Sequence, residues 1–350
     1  MKKLTKIGLS ALCGSLAAIS AANAGSMTVT GSATATWTSL GGDNATTGNP
    51  FGMATNLTFA GSGELDGGQE ISVTIAHADQ NAYSSSNITL NTNSLGKFVF
   101  SQAEGGQGIG GYDDNMPRAV EEVWDAGTGT NINLQKGVGS STNISWTSPS
   151  FMGATLQVAY APENDGSTPN DKATGGASGS SIAQEGLDVV LDIDPDLPFG
   201  PNLFIGYSQT DQPTTANVGA ASKEDRKGKH EEGVVGLEFS VGPLEVGGQG
   251  SAEYTGLEGE GDVTMYGTTS WGVAFNVNDD LSVSYGEARS IKVTQNEMSN
   301  PKRRMSGDSF QVAYTMGGIA LKYADTSWGG AKYTEGNSVS SKLVIMSMAF

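Results

Sequence analysis

Residues that do chemistry or lock a fold covalently are scarce in this chain. Its one cysteine, Cys13, lies in the N-terminal segment read below as cleaved, so the mature chain forms no disulfide and must be held by its hydrogen-bonded ladder. It has two histidines, His77 and His230, which leaves little from which to build an activated nucleophile. After the first two dozen residues no run approaches the roughly 20 apolar residues of a membrane helix, so any crossing of a bilayer must be made by strands. Positive charge is also short: 19 Lys and Arg stand against 37 Asp and Glu, for a formal net charge of −18. Such a surface excludes nucleic acid as a partner.

What is present suits a β-protein. Glycine supplies 50 of 350 residues and hydrophobic residues 37%, a mixture that fits strands with one apolar face, one wet face and many turns. Residues 1–24 carry Lys2, Lys3 and Lys6, then an apolar core over 7–19, then Ala22-Asn23-Ala24, the small-x-small pattern of a cleavage site. This reads as a signal peptide over 1–24, removed on export, followed by one domain over 25–350.

Period-two alternation runs through that domain. Met27, Val29, Ala33, Ala35 and Trp37 form one face of the first segment against Thr28, Thr30, Ser32, Thr34 and Thr36. Leu187, Val189, Leu191 and Ile193 oppose Asp188, Val190, Asp192 and Asp194, and Phe310, Val312 and Tyr314 oppose Ser309, Gln311 and Ala313. Segments of this kind fall at 26–38, 51–64, 69–78, 86–92, 96–101, 141–147, 152–161, 186–194, 202–210, 232–241, 244–256, 263–277, 280–290, 306–316, 318–326 and 338–350. The fold class is therefore all-β, a transmembrane antiparallel up-and-down barrel of about 16 strands; 18 strands remain open if the longest connections hide a hairpin. Connections alternate long and short along the chain, as expected when tight periplasmic turns face long external loops. Trp37, Tyr160, Tyr207, Tyr254, Tyr285 and Tyr323 are placed toward outer strand ends and Phe239 and Phe275 toward periplasmic ends, as two interfacial girdles would require. The last segment ends on Phe350, an aromatic terminus expected to close its edge against the first strand.

The longest connection, about 102–140, contains Tyr112-Asp113-Asp114-Asn115-Met116-Pro117-Arg118-Ala119-Val120-Glu121-Glu122-Val123-Trp124-Asp125 and follows Leu95-Gly96-Lys97-Phe98-Val99-Phe100. A short turn with Leu-Gly-Lys, a short fifth strand and a long acidic loop with aromatics resembles the general porins of Gram-negative bacteria, the alphaproteobacterial porins above all. That resemblance implies an outer-membrane channel in which the third loop folds into the lumen and narrows it. It also implies that Asp113, Asp114, Glu121, Glu122 and Asp125 are constriction candidates. By the same resemblance the protein is a homotrimer for passive diffusion of small hydrophilic solutes. Phe350 would be read by the barrel assembly machinery, with outer-membrane lipid and lipopolysaccharide as further partners.

The loop residues read in more than one way. The acids are either constriction residues or solvated surface charges, and 117–124 is either an open segment or a short helix packing Val120, Val123 and Trp124 on the wall. Arg118 is placed to pair with Glu121 or Glu122 and hold the loop. The chain departs from the family pattern in lacking arginines on its early strands, where only Lys97, a constriction candidate expected to face the lumen if Phe98 and Phe100 face lipid, and His77 offer a basic group. Lys302, Arg303 and Arg304 are read as an external-loop cluster for lipopolysaccharide phosphates or neighbouring acidic loops, with the eyelet as the alternative. With Asp188, Asp192, Glu238, Glu245 and Glu253 on the wet face, the pore is expected to be acid-rich and cation-preferring. No cofactor is expected, beyond calcium loosely held at Glu163-Asn164-Asp165-Gly166 or Asp113-Asp114-Asn115, neither of which has EF-hand spacing. Two other classes stand against the channel. An outer-membrane enzyme would need His77 or His230 in a catalytic pair, and His77 lacks the serine two residues on that outer-membrane phospholipases carry. A surface adhesin or S-layer-type β-protein would account for the polar stretches but not for the placement of the aromatics.

Overall fold

The computed structural model describes residues 26–43, 47–79, 81–130, 132–139, 141–162, 185–212, 226, 228–295 and 302–349. The readings made for residues 1–24, for Phe350 and for Glu163-Asn164-Asp165-Gly166 lie outside the described residues. No described helix is long and apolar enough to cross a membrane, which says nothing against a barrel. Sixteen strands are formed: β1 Ser26–Gly42, β2 Phe51–Glu64, β3 Glu70–Ala78, β4 Asn81–Thr92, β5 Gly96–Gln102, β6 Asn143–Thr147, β7 Ala154–Ala161 and β8 Gly186–Ile193. The second half adds β9 Asn202–Thr210, β10 His230–Val241, β11 Leu244–Tyr254, β12 Val263–Asn276, β13 Leu281–Thr294, β14 Lys302–Met316, β15 Ile319–Gly329 and β16 Ser338–Ala349. Each pairs antiparallel with its neighbours in sequence, and β1 pairs with β16, so the sheet closes and has no edge.

Alternation decides which way each side chain points. In β8, Leu187, Val189 and Leu191 are exposed on the outside while Asp188 and Val190 are fully buried within. The same outward face carries Val29, Phe59, Ile75, Ile88, Phe100, Ile205, Val235 and Phe310, the apolar belt that a bilayer would cover. At the short-turn end, hairpins such as Gly242-Pro243 and Gly317-Gly318 need left-handed backbone, and both Gly242 and Gly317 take φ of 60°.

Several boundaries differ from the sequence reading. The connection expected at 79–85 is a tight hairpin, because Asp79 accepts the left-handed conformation (φ 52°) and its carboxylate takes the Thr55 N–H at 2.8 Å. The strands β13 and β14 reach Thr294 and begin at Lys302, so Lys302, Arg303 and Arg304 belong to a strand end and not to a loop. That extension, with β15 running to Gly329, leaves Tyr285 and Tyr323 nearer the middle of their strands than their outer ends. Trp37, Tyr160, Tyr207, Tyr254, Phe239 and Phe275 point outward with them.

Candidate functional site

The connection between β5 and β6 does not leave the barrel. From a 3-10 turn at Gly108–Tyr112 it crosses the inner wall, turns back near Ala126, and returns along the external side to β6. Its apolar residues provide one side of every buried cluster. Ile109 packs on Val190, Phe204 and Val234; Met116 and Val123 pack on Ala288, Met305 and Trp328. Val120 and Ala126 pack on Ala313, Ala324, Leu343 and Ile345, and Val138 on Ala159 and Ala161. Thus β7 to β16 are covered, while no described inward side chain of β1 to β4 is buried.

Polar anchors fix the path. At the root, Asp188 Oδ2 accepts the N–H groups of Ile109 and Val138, each at 3.1 Å, and Glu232 accepts those of Lys136 and Gly137 at 2.9 and 2.7 Å. Tyr112 donates its hydroxyl to Asp192 at 2.8 Å, and Gln249 donates to the Asp113 carbonyl at 2.6 Å. Further along, Gln311 Oε1 accepts the Val120 N–H at 2.9 Å, Trp328 donates to the Val123 carbonyl at 3.0 Å, and Ser341 donates to the Ala126 carbonyl. The return leg is tied by Asn133 to Glu253, by the Tyr333 hydroxyl at 3.2 Å and by Thr268 at 2.9 Å.

Between these anchors three inward glycines stand in register across adjacent strands: Gly247 opposite Gly272, and Gly272 opposite Gly286. Met116 and Pro117 lie in the trough they leave. A Cβ on Gly272 would come within 2.3 Å of the Pro117 carbonyl oxygen, and one on Gly286 within 2.7 Å of the Met116 methyl.

The acids named from sequence separate into two groups. Arg118 binds Glu122 at 2.5 Å and Asp114 at 3.0 Å, and donates also to the Asp114 and Met116 carbonyls. It therefore pairs with Glu122, one of the two expected acids, and in addition with Asp114, and holds the loop. Glu122 is buried, Asp113, Asp114 and Glu121 are partly exposed and Asp125 is exposed. Burial pushes Asp113 up to about 6, helped by Asp114 and opposed by Arg118. Burial likewise pushes Glu122 up to about 7 against the pull of the Arg118 guanidinium. Glu121 is raised by burial too, with Lys322 opposing. No helix forms over 117–124, although Val120 and Val123 do pack on the wall.

Other expected positions move. Asp188 is not a pore acid: it is fully buried under the loop root. His77 shares the outward parity of Ile71, Val73 and Ile75, and His230 pairs with Glu253 at 3.0 Å on the inner side beneath the loop root. Lys97 is exposed and shares the inward parity of Val99 and Ser101, at the short-turn end of β5. Glu238 and Glu245 line a cavity of about 480 Å³ beneath Met116, Pro117 and Arg118. Among the described residues, three possible metal donors come within 4.8 Å of one another at Glu121, Glu122 and Asp125 and at His230, Glu232 and Glu253.

Trp328, Gln311 and the glycine row escaped the sequence reading. A signal existed: from β7 onward, inward positions carry Val190, Phe204, Val234, Met305, Trp328, Leu343 and Ile345, which no water-filled wall requires.

Comparison with curated proteins gives no match. Among solved structures, the trimer form of OmpT, an outer membrane protein of Vibrio cholerae, superposes with a TM-score of 0.64 at 11% identity, covering 93% of this chain and 99% of that one. An anion-selective porin from Comamonas acidovorans gives 0.63 at 14% identity, over 93% and 100%. OprB of Pseudomonas putida gives 0.61 at 11%, over 93% and 94%. At such identities the likeness establishes the fold alone. The model of the Gram-negative porin family matches residues 8–327, nearly the whole chain, and the chain accordingly belongs to the Gram-negative porins, outer-membrane channels rather than enzymes.

Proposed function

We propose that the protein is a general diffusion channel for small hydrophilic solutes that favours cations. One observation carries the reading: the loop carboxylates face a wall without basic residues. Asp113, Asp114, Glu121 and Asp125 keep exposure on the loop's free side. The uncovered strands β1 to β4 carry no Lys or Arg and present Thr30, Ser32, Thr34, Asn56, Thr58, Ser72, Thr74 and Asn87 inward. A carboxylate cluster opposite neutral hydroxyls and amides creates a field of one sign, which concentrates cations. Lys97, at the short-turn end, and Lys322, opposite Glu121, offset a minority of that charge. The anion-selective relative from Comamonas acidovorans shares the fold, and selectivity resides in the side chains placed on it.

Three copies would assemble, as the OmpT relative does in its trimer form, and residues 1–24 would direct export. Calcium loosely held by Glu121, Glu122 and Asp125 would screen the same charges.

Single-channel recording in planar bilayers under a salt gradient tests the reading. A reversal potential of cation-selective sign, reduced in the variant Asp113→Asn/Asp114→Asn/Glu121→Gln/Asp125→Asn and reduced in the native protein by added calcium, supports it. Anion selectivity in the native protein would overturn it.

A further inference from the structure

We propose that His230, Glu232 and Glu253, on the inner wall at the external ends of β10 and β11, form a binding site for a divalent transition cation of the zinc class. Strand period and register build it. His230 and Glu232 are two residues apart on β10 and share the inward parity of the buried Val234. Glu253 on β11 stands directly opposite Glu232. Each side chain offers one ligand atom, all three within 4.8 Å of one another, and His230 Nε2 lies 3.0 Å from Glu253 Oε1. A tetrahedral ion with bonds of about 2.0–2.2 Å holds its donors roughly 3.3–3.6 Å apart, a spacing that small side-chain rotations reach from here.

Electrostatics favours a cation at this point. Like charges directly opposite each other on one sheet face repel, and Glu232 is only 4% exposed, so water screens it poorly from Glu253. The Lys136 ammonium forms no ion pair with either glutamate among the described residues. A doubly charged ion neutralises both carboxylates and takes the place of the proton between His230 and Glu253, which passes to water. Donor chemistry narrows the ion further. Imidazole suits zinc, copper, iron and nickel, whereas calcium and magnesium take oxygen ligands, calcium six to eight of them. One imidazole with two carboxylates leaves a fourth position for water.

The ligands are held from behind by the loop. Glu232 accepts the N–H groups of Lys136 and Gly137 at 2.9 and 2.7 Å, and Glu253 accepts the Asn133 side-chain amide. A carboxylate has about four lone-pair sites, so these bonds leave room for an ion, and they act as the outer-shell contacts that orient metal ligands. An ion that fixes Glu232 and Glu253 therefore also fixes the return leg at Asn133, Lys136 and Gly137. The way in is open: the His230 side chain keeps 31% of its surface exposed, and β10 begins there, at the external mouth. The other donor group, Glu121, Glu122 and Asp125, has no nitrogen ligand and suits a harder cation. Binding at His230 is independent of the sign of the pore's selectivity.

Untagged full-length protein in detergent, stripped with a chelator and equilibrated with zinc alone or with zinc plus excess magnesium or calcium, tests the site. Metal content per chain and competition with a chromophoric zinc chelator are read. One zinc per chain, kept against magnesium and calcium, is expected. Affinity should fall at least about tenfold in His230→Gln and in Glu253→Gln, since loss of an outer-shell contact alone costs about 10–100-fold. It should be unchanged in His77→Gln, the chain's other histidine. Zinc should also raise the heat-denaturation midpoint on unheated gels for the native protein and not for His230→Gln. Should Glu253→Gln fail to fold, His230→Gln decides, because its amide can still bond Glu253. Absence of stoichiometric zinc, equal affinity in the native protein and His230→Gln, equal loss in His77→Gln, an equal rise of both midpoints, or displacement by magnesium or calcium would each overturn the proposal.

Discussion

Gly137 lies so close to Asp188 that a Cβ added to it would sit 2.0 Å from the carboxylate oxygen Oδ2. That same oxygen accepts the N–H groups of Ile109 and Val138, so one buried acid clasps both ends of the loop that crosses the barrel. Gly137 also has a φ of 57°, a conformation other residues adopt with strain. Gly137→Ala should therefore displace the return leg, and Asp188→Ala should leave two buried N–H groups unpaired at about 1–3 kcal/mol each. Both variants should show higher, noisier single-channel conductance and a lower heat-denaturation midpoint on unheated gels; unchanged conductance would show that the clasp does not hold the loop.

Charge on the loop should titrate within the physiological range. Asp113 is raised to about 6 and Glu122 to about 7, both chiefly by burial, so both are ionised at pH 8 and neutral at pH 5. Cation preference should fall as pH is lowered through 7 to 6, and Asp113→Asn should remove the lower part of that change. The stability effect has the same sign for both. An acid whose folded pKa is raised binds its proton more tightly when folded, so folding gains stability as pH drops from about 7 toward the ordinary Glu value near 4.5. Reversal potential against pH, with thermal midpoints at the same pH values, checks both statements.

The glycine row should be sensitive in a defined order. At Gly272 the obstacle is the backbone carbonyl of Pro117, whereas at Gly286 the nearest atom is the flexible end of Met116. Gly272→Ala is expected to be the more damaging by about 1–3 kcal/mol, the usual scale of overpacking. Comparing urea midpoints of the two variants in the same detergent decides it; equal midpoints would mean that Pro117 is free to shift.

Trp328 is 2% exposed and its indole N–H holds the Val123 carbonyl. Trp328→Ala should cost about 3–5 kcal/mol through the cavity it leaves. Trp328→Phe should fill most of the space yet orphan the carbonyl, for a smaller loss. The variant Trp328→Ala, if it folds, should conduct more than the native protein because the tip of the loop loses its anchor.

Much of this architecture was legible in the sequence, since a period of two repeated sixteen times admits few other folds. Strand faces follow from it, whereas the loop folded into the lumen was implied by the resemblance to Gram-negative porins. The strand ends were harder, because Asp79 and the Lys302-to-Ser306 segment have turn-like composition and are pulled into the sheet by their partners. The loop's path was hidden for a different reason. Asp188 and Glu232 look like any inward acids until the backbone N–H groups of Ile109, Lys136, Gly137 and Val138 arrive beside them. Only the misplaced apolar residues, such as Phe204 and Trp328 on an inward face, marked where the loop would lie.

The loop is fastened by one side only, and this separates two kinds of change. On the proposed function, exchange of Asp113, Glu121 or Asp125 would alter what the channel admits while Ile109, Val120, Val123 and Val138 continue to hold the loop to the wall. A descendant can therefore acquire a new permeability by single steps, without passing through misfolded ancestors. A wider aperture has no such route: lifting the loop would bare Val190, Phe204, Leu343 and Ile345 to water, so several positions must change together. Divergence among channels built in this way should run fast in charge and slowly in bore.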